Sequence, residues 1–198
     1  MAGIILNIAN ALMITASVLH ACRKVKKNNG RLGEVFCYFT VLSNVFCALA
    51  SLAAAFSAAA GGISFGVSVI KYSATCAVTV TMLTVFVFLA PTVGSLAPLI
   101  REQDLYLHLI CPSVAVATYL LYDGAAMPFA FTLLGTSPVL LYGLFYLYKI
   151  MYAPEEKRWE DFYTFNRGGK WPISFAAMLL GGFLISIVLR AAGMLRGT

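Results

Sequence analysis

The chain has 198 residues, of which 61% are hydrophobic and 11% are charged, and its net charge is +6. Soluble domains have about 25% charged residues, so the composition excludes an ordinary soluble domain and favours a membrane protein. The charge does not indicate a nucleic-acid partner, because the basic residues lie at the ends of apolar segments, where membrane proteins keep them. Charges occur only in short blocks, so we expect residues 1–198 to form a single integral membrane domain.

Six apolar segments are long enough to cross a bilayer, which takes about 20 apolar residues in a helix. The apolar runs are continuous rather than alternating, which favours helices over a β-barrel. The sequence therefore predicts an all-α fold, a polytopic bundle of six transmembrane helices. The predicted spans are residues 3–21, 35–56, 72–93, 105–122, 128–151 and 172–189.

Basic residues are distributed unequally between the segments that connect these spans. Most lie in residues 23–31 and 157–170, and Arg101 lies in the third connection. The opposite side has only three, which are Lys71, Arg190 and Arg196. Because basic residues mark the cytoplasmic side, we expect both termini to lie outside, in a plasma membrane. Asp123-Gly124 predicts a tight turn on that outer side.

Three polar residues lie early in the second predicted helix, which enters the membrane from the inside. Thr40, Ser43 and Asn44 share one helix face, since residues three and four apart are neighbours on a helix. Such residues commonly hydrogen-bond to adjacent membrane helices, so a packing role is one interpretation of the stripe. The other is a functional site with Thr40 at its centre.

The fourth predicted helix also enters from the inside and carries His108, which is the clearest ionisable residue within any of the six apolar runs. Intramembrane ionisable groups point to function. Asp104 lies one turn earlier on the same face, where it can orient the imidazole or cap the helix. Pro112 has no N–H for the His108 carbonyl, so a kink is expected there. His20, at the inner end of the first helix, is expected to be an interfacial residue.

The fifth connection is both aromatic and charged, and it lies on the side from which the second and fourth helices enter. Aromatic residues of this kind anchor loops at membrane interfaces. They also suit a lid over a site that opens at that interface. The residues predicted to control substrate access are Phe162, Tyr163, Phe165, Asn166 and Trp171.

Thr40 and His108 are expected at one depth, because their helices enter from the same side. A hydroxyl beside an imidazole can form a nucleophile–base pair, and Asn44 or Ser43 can stabilise an oxyanion. The five cysteines have no metal-ligand spacing, and we expect neither a metal site nor a cofactor.

The motifs resemble those of the androgen-induced membrane protein family. The second helix has Tyr-Phe-Thr-x-x-Ser-Asn at 38–44, and the fourth has His-x-x-x-Pro at 108–112. The loop at 162–172 is similar to that of bacterial-type members. Animal members cleave fatty acid esters of hydroxy fatty acids with one threonine and one histidine. The resemblance therefore implies an intramembrane threonine hydrolase with Thr40 as nucleophile and His108 as general base.

Two other classes of function are also compatible with the sequence. One is a bis-histidine haem or quinone protein that uses His20 and His108. The other is a non-catalytic transporter or binding protein for lipids or small molecules. The expected partners are membrane lipids and a lipid ester substrate, without nucleic acid. Nothing in the sequence specifies the oligomeric state.

Overall fold

The computed structural model describes the backbone of residues 1–196 and the side chains of residues 1–195. The predicted all-α fold of six membrane-spanning helices is confirmed, and the described residues contain no strand. The helices, called α1 to α6 here, are Ala2–Lys27, Phe39–Ala59, Phe65–Val93, Gln103–Asp123, Phe129–Met151 and Trp171–Arg196. Each is long and apolar enough to cross a bilayer, which identifies an integral membrane protein.

The helices are placed so that the bundle has two distinct ends. The terminal end contains the start of α1, the Gly61-Gly62 break between α2 and α3, and residues 124–128 between α4 and α5. The loop end contains the connections at 28–38, 94–102 and 152–170. Thr40 and His108 both lie near the loop end, in the first turn of α2 and the second turn of α4.

Helix α3 is the centre of the bundle and packs against α2, α4, α5 and α6. Its approach to α5 requires Gly135, since a Cβ at this position would come within 2.9 Å of both the Tyr72 ring and the Cys76 sulfur. The Tyr72 hydroxyl donates to the Ser186 carbonyl at 2.7 Å, and the Ser186 hydroxyl donates to the Thr132 carbonyl at 2.6 Å. Small residues and interhelical hydrogen bonds of this kind are what drives helix association in lipid.

Two charged residues lie where the sequence analysis did not place them. The predicted third span begins at residue 72, which leaves Lys71 in the connection before it. In the structure α3 starts seven residues earlier, at Phe65, and contains Lys71, whose side chain is fully buried. Asp123 was expected in a tight turn with Gly124, but it ends α4 and is also buried. A widened π-helical turn ends α4, in which the Gly124 N–H donates to the Tyr119 carbonyl at 2.8 Å.

Lys71 and Asp123 form an ion pair inside the bundle, with 3.6 Å between the ammonium nitrogen and Oδ2. The Lys71 ammonium also donates to Asn7 Oδ1 at 2.6 Å and to the Ser51 hydroxyl at 2.7 Å. The Asn7 amide in turn donates to both Asp123 oxygens, at 3.1 and 3.0 Å. Residues from α1, α2, α3 and α4 therefore meet in one network, so these two groups, rather than His108, are the most deeply buried charges in the described chain.

Replacing Lys71 with Met should destabilise the protein by about 3–5 kcal/mol, because the Asp123 carboxylate is left buried without its counter-charge. The double variant Lys71→Met/Asp123→Leu should recover most of this loss, since no buried charge remains. Lys24→Met, which breaks an exposed ion pair, is the matched control and should change stability little. Unfolding in detergent micelles measures all three; equal losses for the single and double variants would contradict the pairing.

Candidate active site

The first turn of α2 presents Thr40 at the loop end of the bundle. Tyr38 is extended and precedes the helix, and the N–H groups of Val41 and Leu42 both donate to its carbonyl. The Phe39 N–H donates to the Tyr163 hydroxyl at 3.2 Å. Among the described residues, no acceptor is bound to the Thr40 N–H, as is usual for the first-turn donors of a helix. Thr40 thus has its hydroxyl and a free backbone donor at a helix N-terminus.

Asn44 connects the backbones on which Thr40 and His108 lie. Its amide nitrogen donates to the Thr40 carbonyl at 2.8 Å and to the Leu107 carbonyl at 2.9 Å. The two hydrogens of the amide are both used, because a side-chain NH₂ group has only two donors. Asn44 therefore fixes the two helices relative to each other and has no donor left for an oxyanion.

Ser43 is committed in the same way. Its hydroxyl lies 2.8 Å from the Thr81 hydroxyl of α3 and 3.1 Å from the Thr40 carbonyl. The side chain is buried between the two helices. Ser43 and Asn44 thus join helices, which is the packing interpretation of the polar stripe, and neither donates to a ligand in this arrangement.

His108 lies in a π-helical turn, Tyr106–Ile110, in which the Cys111 N–H donates to the Tyr106 carbonyl. The widened turn directly precedes Pro112, where the sequence predicted a departure from regular α-helix. The half-buried ring lies with Nδ1 2.6 Å from the Leu99 carbonyl oxygen. Because a carbonyl only accepts, Nδ1 carries the hydrogen in the neutral ring and Nε2 keeps a free lone pair.

The group that orients His108 is therefore Leu99, which differs from the orienting role expected of Asp104. Asp104 is half-buried and interacts with His108 through its charge, without a hydrogen bond between the two side chains in the described structure. The loop that carries Leu99 is held by Glu102, which accepts from the Lys24 ammonium at 2.9 Å. That hydrogen bond lowers the pKa of Glu102. Sequence reasoning had no signal for a backbone carbonyl as the partner.

The loop at 152–170 folds back over the loop end and is organised by Asp161. Its carboxylate accepts from the N–H groups of Phe165 and Asn166, both at 2.7 Å, and from the Tyr146 hydroxyl at 3.0 Å. Phe165 is buried, and Phe162 and Trp171 pack with it around Tyr146. The loop is thus an ordered aromatic cover, and Asn166 is a half-buried part of it rather than an exposed side chain.

Tyr163 brings this cover into contact with Thr40. Its hydroxyl accepts from the Phe39 N–H at 3.2 Å, and the Tyr163 and Thr40 side chains lie close enough to interact. Burial raises the pKa of Tyr163 to about 12, so the phenol keeps its proton at every physiological pH. Tyr163 was grouped with substrate access in the sequence analysis; the structure places it directly beside the predicted nucleophile.

An apolar groove of about 240 Å³ runs along α2 and α5 next to this position. Phe39, directly before Thr40, and Ser43, three residues after it, line one side of the groove. The remaining lining residues are Leu42, Phe46, Pro138, Tyr142 and Phe145. A groove of this composition suits an aliphatic chain.

The structure thus brings Thr40, Asn44, Tyr163 and the backbone before His108 together. Among the described residues, no hydrogen bond joins Thr40 to His108, and His108 Nδ1 is bonded to Leu99. His20 lies elsewhere, with its exposed ring 4.0 Å from Glu102.

Comparison with known proteins identifies no relative: no protein-family model, no curated protein and no solved structure matches the chain. The fold defines a class, the six-helix integral membrane proteins. The resemblance to the androgen-induced membrane protein family stays a prediction, carried by the motifs at 38–44, 108–112 and 162–172.

Tyr163→Phe should loosen the cover, because it leaves the Phe39 N–H without its acceptor, at a cost of about 1–3 kcal/mol. Cleavage by trypsin after the exposed Arg167 and Lys170 should become faster. Tyr148→Phe is the matched control. Tyr148 is exposed on α5, and no hydrogen bond joins its hydroxyl to this loop in the described structure. Equal cleavage rates for the two variants would show that the Tyr163 hydroxyl does not hold the loop.

Proposed function

We propose that this protein is an intramembrane hydrolase that cleaves lipid esters, with Thr40 as the nucleophile and His108 as the general base. The observation that carries the proposal is the Asn44 amide, which binds the Thr40 and Leu107 carbonyls together. It places the hydroxyl and the imidazole on neighbouring backbone segments at the loop end. Fatty acid esters of hydroxy fatty acids are the proposed substrate class, from the family resemblance.

The state of His108 suits a base. Its Nδ1–H is directed to the Leu99 carbonyl, so Nε2 is the nitrogen available to accept a proton. The imidazolium that forms would be stabilised by that carbonyl and by the nearby Asp104 carboxylate. Asp104 is therefore proposed as an electrostatic support, while Leu99 fixes the ring.

In the proposed reaction, Thr40 Oγ attacks the ester carbonyl and its proton passes to His108 Nε2. The carbonyl oxygen takes up the electron pair as an oxyanion beside the Thr40 N–H and the Tyr163 hydroxyl, a protonated donor. Collapse breaks the ester bond, and His108 returns the proton to the leaving alcohol. Water then attacks the acyl-Thr40 ester by the same route and releases the fatty acid.

A conformational step belongs to this proposal, because the ordered cover is bonded to the start of α2 through Tyr163 and lies beside Thr40. Entry of the acyl chain into the groove beside Phe39 would displace the cover and free the hydroxyl to turn towards His108. The bilayer supplies the apolar surroundings, and the loop end lies close to water. Lid movements of this kind commonly accompany catalysis at covered sites.

Thr40→Ala and His108→Ala should each remove nearly all ester turnover, and the double variant should be little worse, because coupled groups fail together. Thr40→Ser should retain part of the activity, since the hydroxyl remains. Purified protein with a fatty acid ester of a hydroxy fatty acid provides the assay. Folded Thr40→Ala protein that turns over at the wild-type rate would exclude the mechanism and favour a lipid-binding or transport role.

We further propose that the loop end faces the cytoplasm and that both termini lie outside, in a bacterial plasma membrane. The basic residues of the described chain support this: with Lys71 inside the bundle, the terminal end keeps fewer exposed cations than the sequence count gave it. In a cysteine-free background, Ala60→Cys should react with an impermeant thiol reagent in whole cells and Asn28→Cys should not. Both positions are exposed, so the reverse pattern would invert the topology.

A further inference from the structure

One face of α2 carries a continuous row of buried polar side chains that extends from the candidate site to the ion pair at the terminal end. Asn44, Cys47 and Ser51 follow Thr40 at successive helical turns and are all buried. Each has a partner on a different helix: Asn44 on α4, Cys47 on α1 and Ser51 on α3. We call these three residues, with Asn10, Lys71 and Asp123, the polar row.

Direct contacts connect the terminal half of the polar row. Asp123 pairs with Lys71, Lys71 donates to Ser51, and Ser51 interacts with the Cys47 thiol one turn away. The Asn10 amide donates to the Cys47 sulfur at 3.8 Å. The contacts stop between Cys47 and Asn44, although these residues are one helical turn apart.

Two members of the polar row, Asn10 on one side of this interruption and Asn44 on the other, each have a buried side-chain oxygen without a donor among the described residues. Among the side chains of residues 1–195, Asn10 Oδ1 and Asn44 Oδ1 are buried without a hydrogen-bond partner, and both residues are fully buried. Rotating the Asn10 amide so that its oxygen and nitrogen exchange positions would leave the nitrogen, instead of the oxygen, without a hydrogen-bond partner. An unsatisfied buried polar atom costs about 1–3 kcal/mol, and buried polar atoms that protein groups do not satisfy are bound to internal water.

We propose that water molecules bind Asn10 Oδ1 and Asn44 Oδ1 and complete a hydrated path through the polar row, and that this path supplies the water that hydrolyses acyl-Thr40. The second part rests on the proposed function. The cover at 152–170 and an acyl chain in the groove would close the loop end during the reaction. The polar row reaches the Thr40 and Leu107 carbonyls from the bundle interior through Asn44.

X-ray hydroxyl-radical footprinting with mass spectrometry tests the path without any need for activity, because radicals form from bound water. The probe is Cys47, and its reference is the same thiol in Asn10→Leu, which lacks one of the two proposed water-binding oxygens. Cys47 should be oxidised several-fold faster in the wild-type protein than in Asn10→Leu. Equal oxidation of Cys47 in the two proteins would overturn the hydrated path.

Asn10→Leu tests the supply of water to the reaction. The substitution has similar volume, removes only a weak bond to sulfur, and should lower Cys47 oxidation several-fold. During ester turnover, acyl-Thr40 should accumulate in Asn10→Leu, because acylation needs no water and deacylation does. Thr118→Val, a buried hydroxyl that bonds only within α4, is the control and should behave as wild type. Unchanged turnover without acyl-enzyme would overturn the role in water supply.

The two proposals fail in different ways. Oxidised Cys47 with no acylation of Thr40 in any variant would leave the hydrated path intact and reject the hydrolase. Acylated Thr40 with Cys47 oxidised equally in the wild-type protein and in Asn10→Leu would support the hydrolase and reject the path.

Discussion

The Lys71–Asp123 ion pair is the interaction on which the arrangement of the bundle depends. A charge inside the bundle that loses its counter-charge is costly, so Lys71 on α3, Asp123 on α4, Asn7 on α1 and Ser51 on α2 are held together. Four of the six helices thereby have their terminal ends fixed. Their loop ends, where Thr40 and His108 lie, are positioned relative to that fixed end.

The six helices could be predicted from the sequence because bilayer insertion is decided by length and apolar content, which a count of residues measures directly. The same count gave the wrong location for Lys71 and Asp123, which are buried in the bundle. A charge normally ends an apolar run, so each was placed in a connection outside the membrane. Only the three-dimensional pairing of residues distant in the chain shows that these charges neutralise each other inside the bundle.

The sequence pointed to the residues of the candidate site, but it did not predict most of their hydrogen-bond partners. Spacing on α2 correctly grouped Thr40, Ser43 and Asn44 on one face, but not the carbonyl groups that Ser43 and Asn44 bind. The expectation that Asp104 orients His108 followed from spacing along one helix, whereas the observed partner is a backbone oxygen in the preceding loop. Backbone partners leave no trace in residue identity, because every residue has a carbonyl group. Tyr163 was recognised as part of the cover, yet its contact with Thr40 depends on how the loop folds.

The loop that carries Leu99 is attached to α1 through Lys24 and Glu102, whose side chains are 54% and 60% exposed. Dissolved ions and charged lipid headgroups reach an exposed pair of this kind and weaken it, with a screening length of about 8 Å at physiological ionic strength. The loop whose Leu99 carbonyl orients the His108 ring is therefore held by the Lys24–Glu102 pair, at the membrane surface rather than within the hydrophobic core. Ionic strength and headgroup composition therefore affect the orientation of the His108 imidazole indirectly, through the position of this loop.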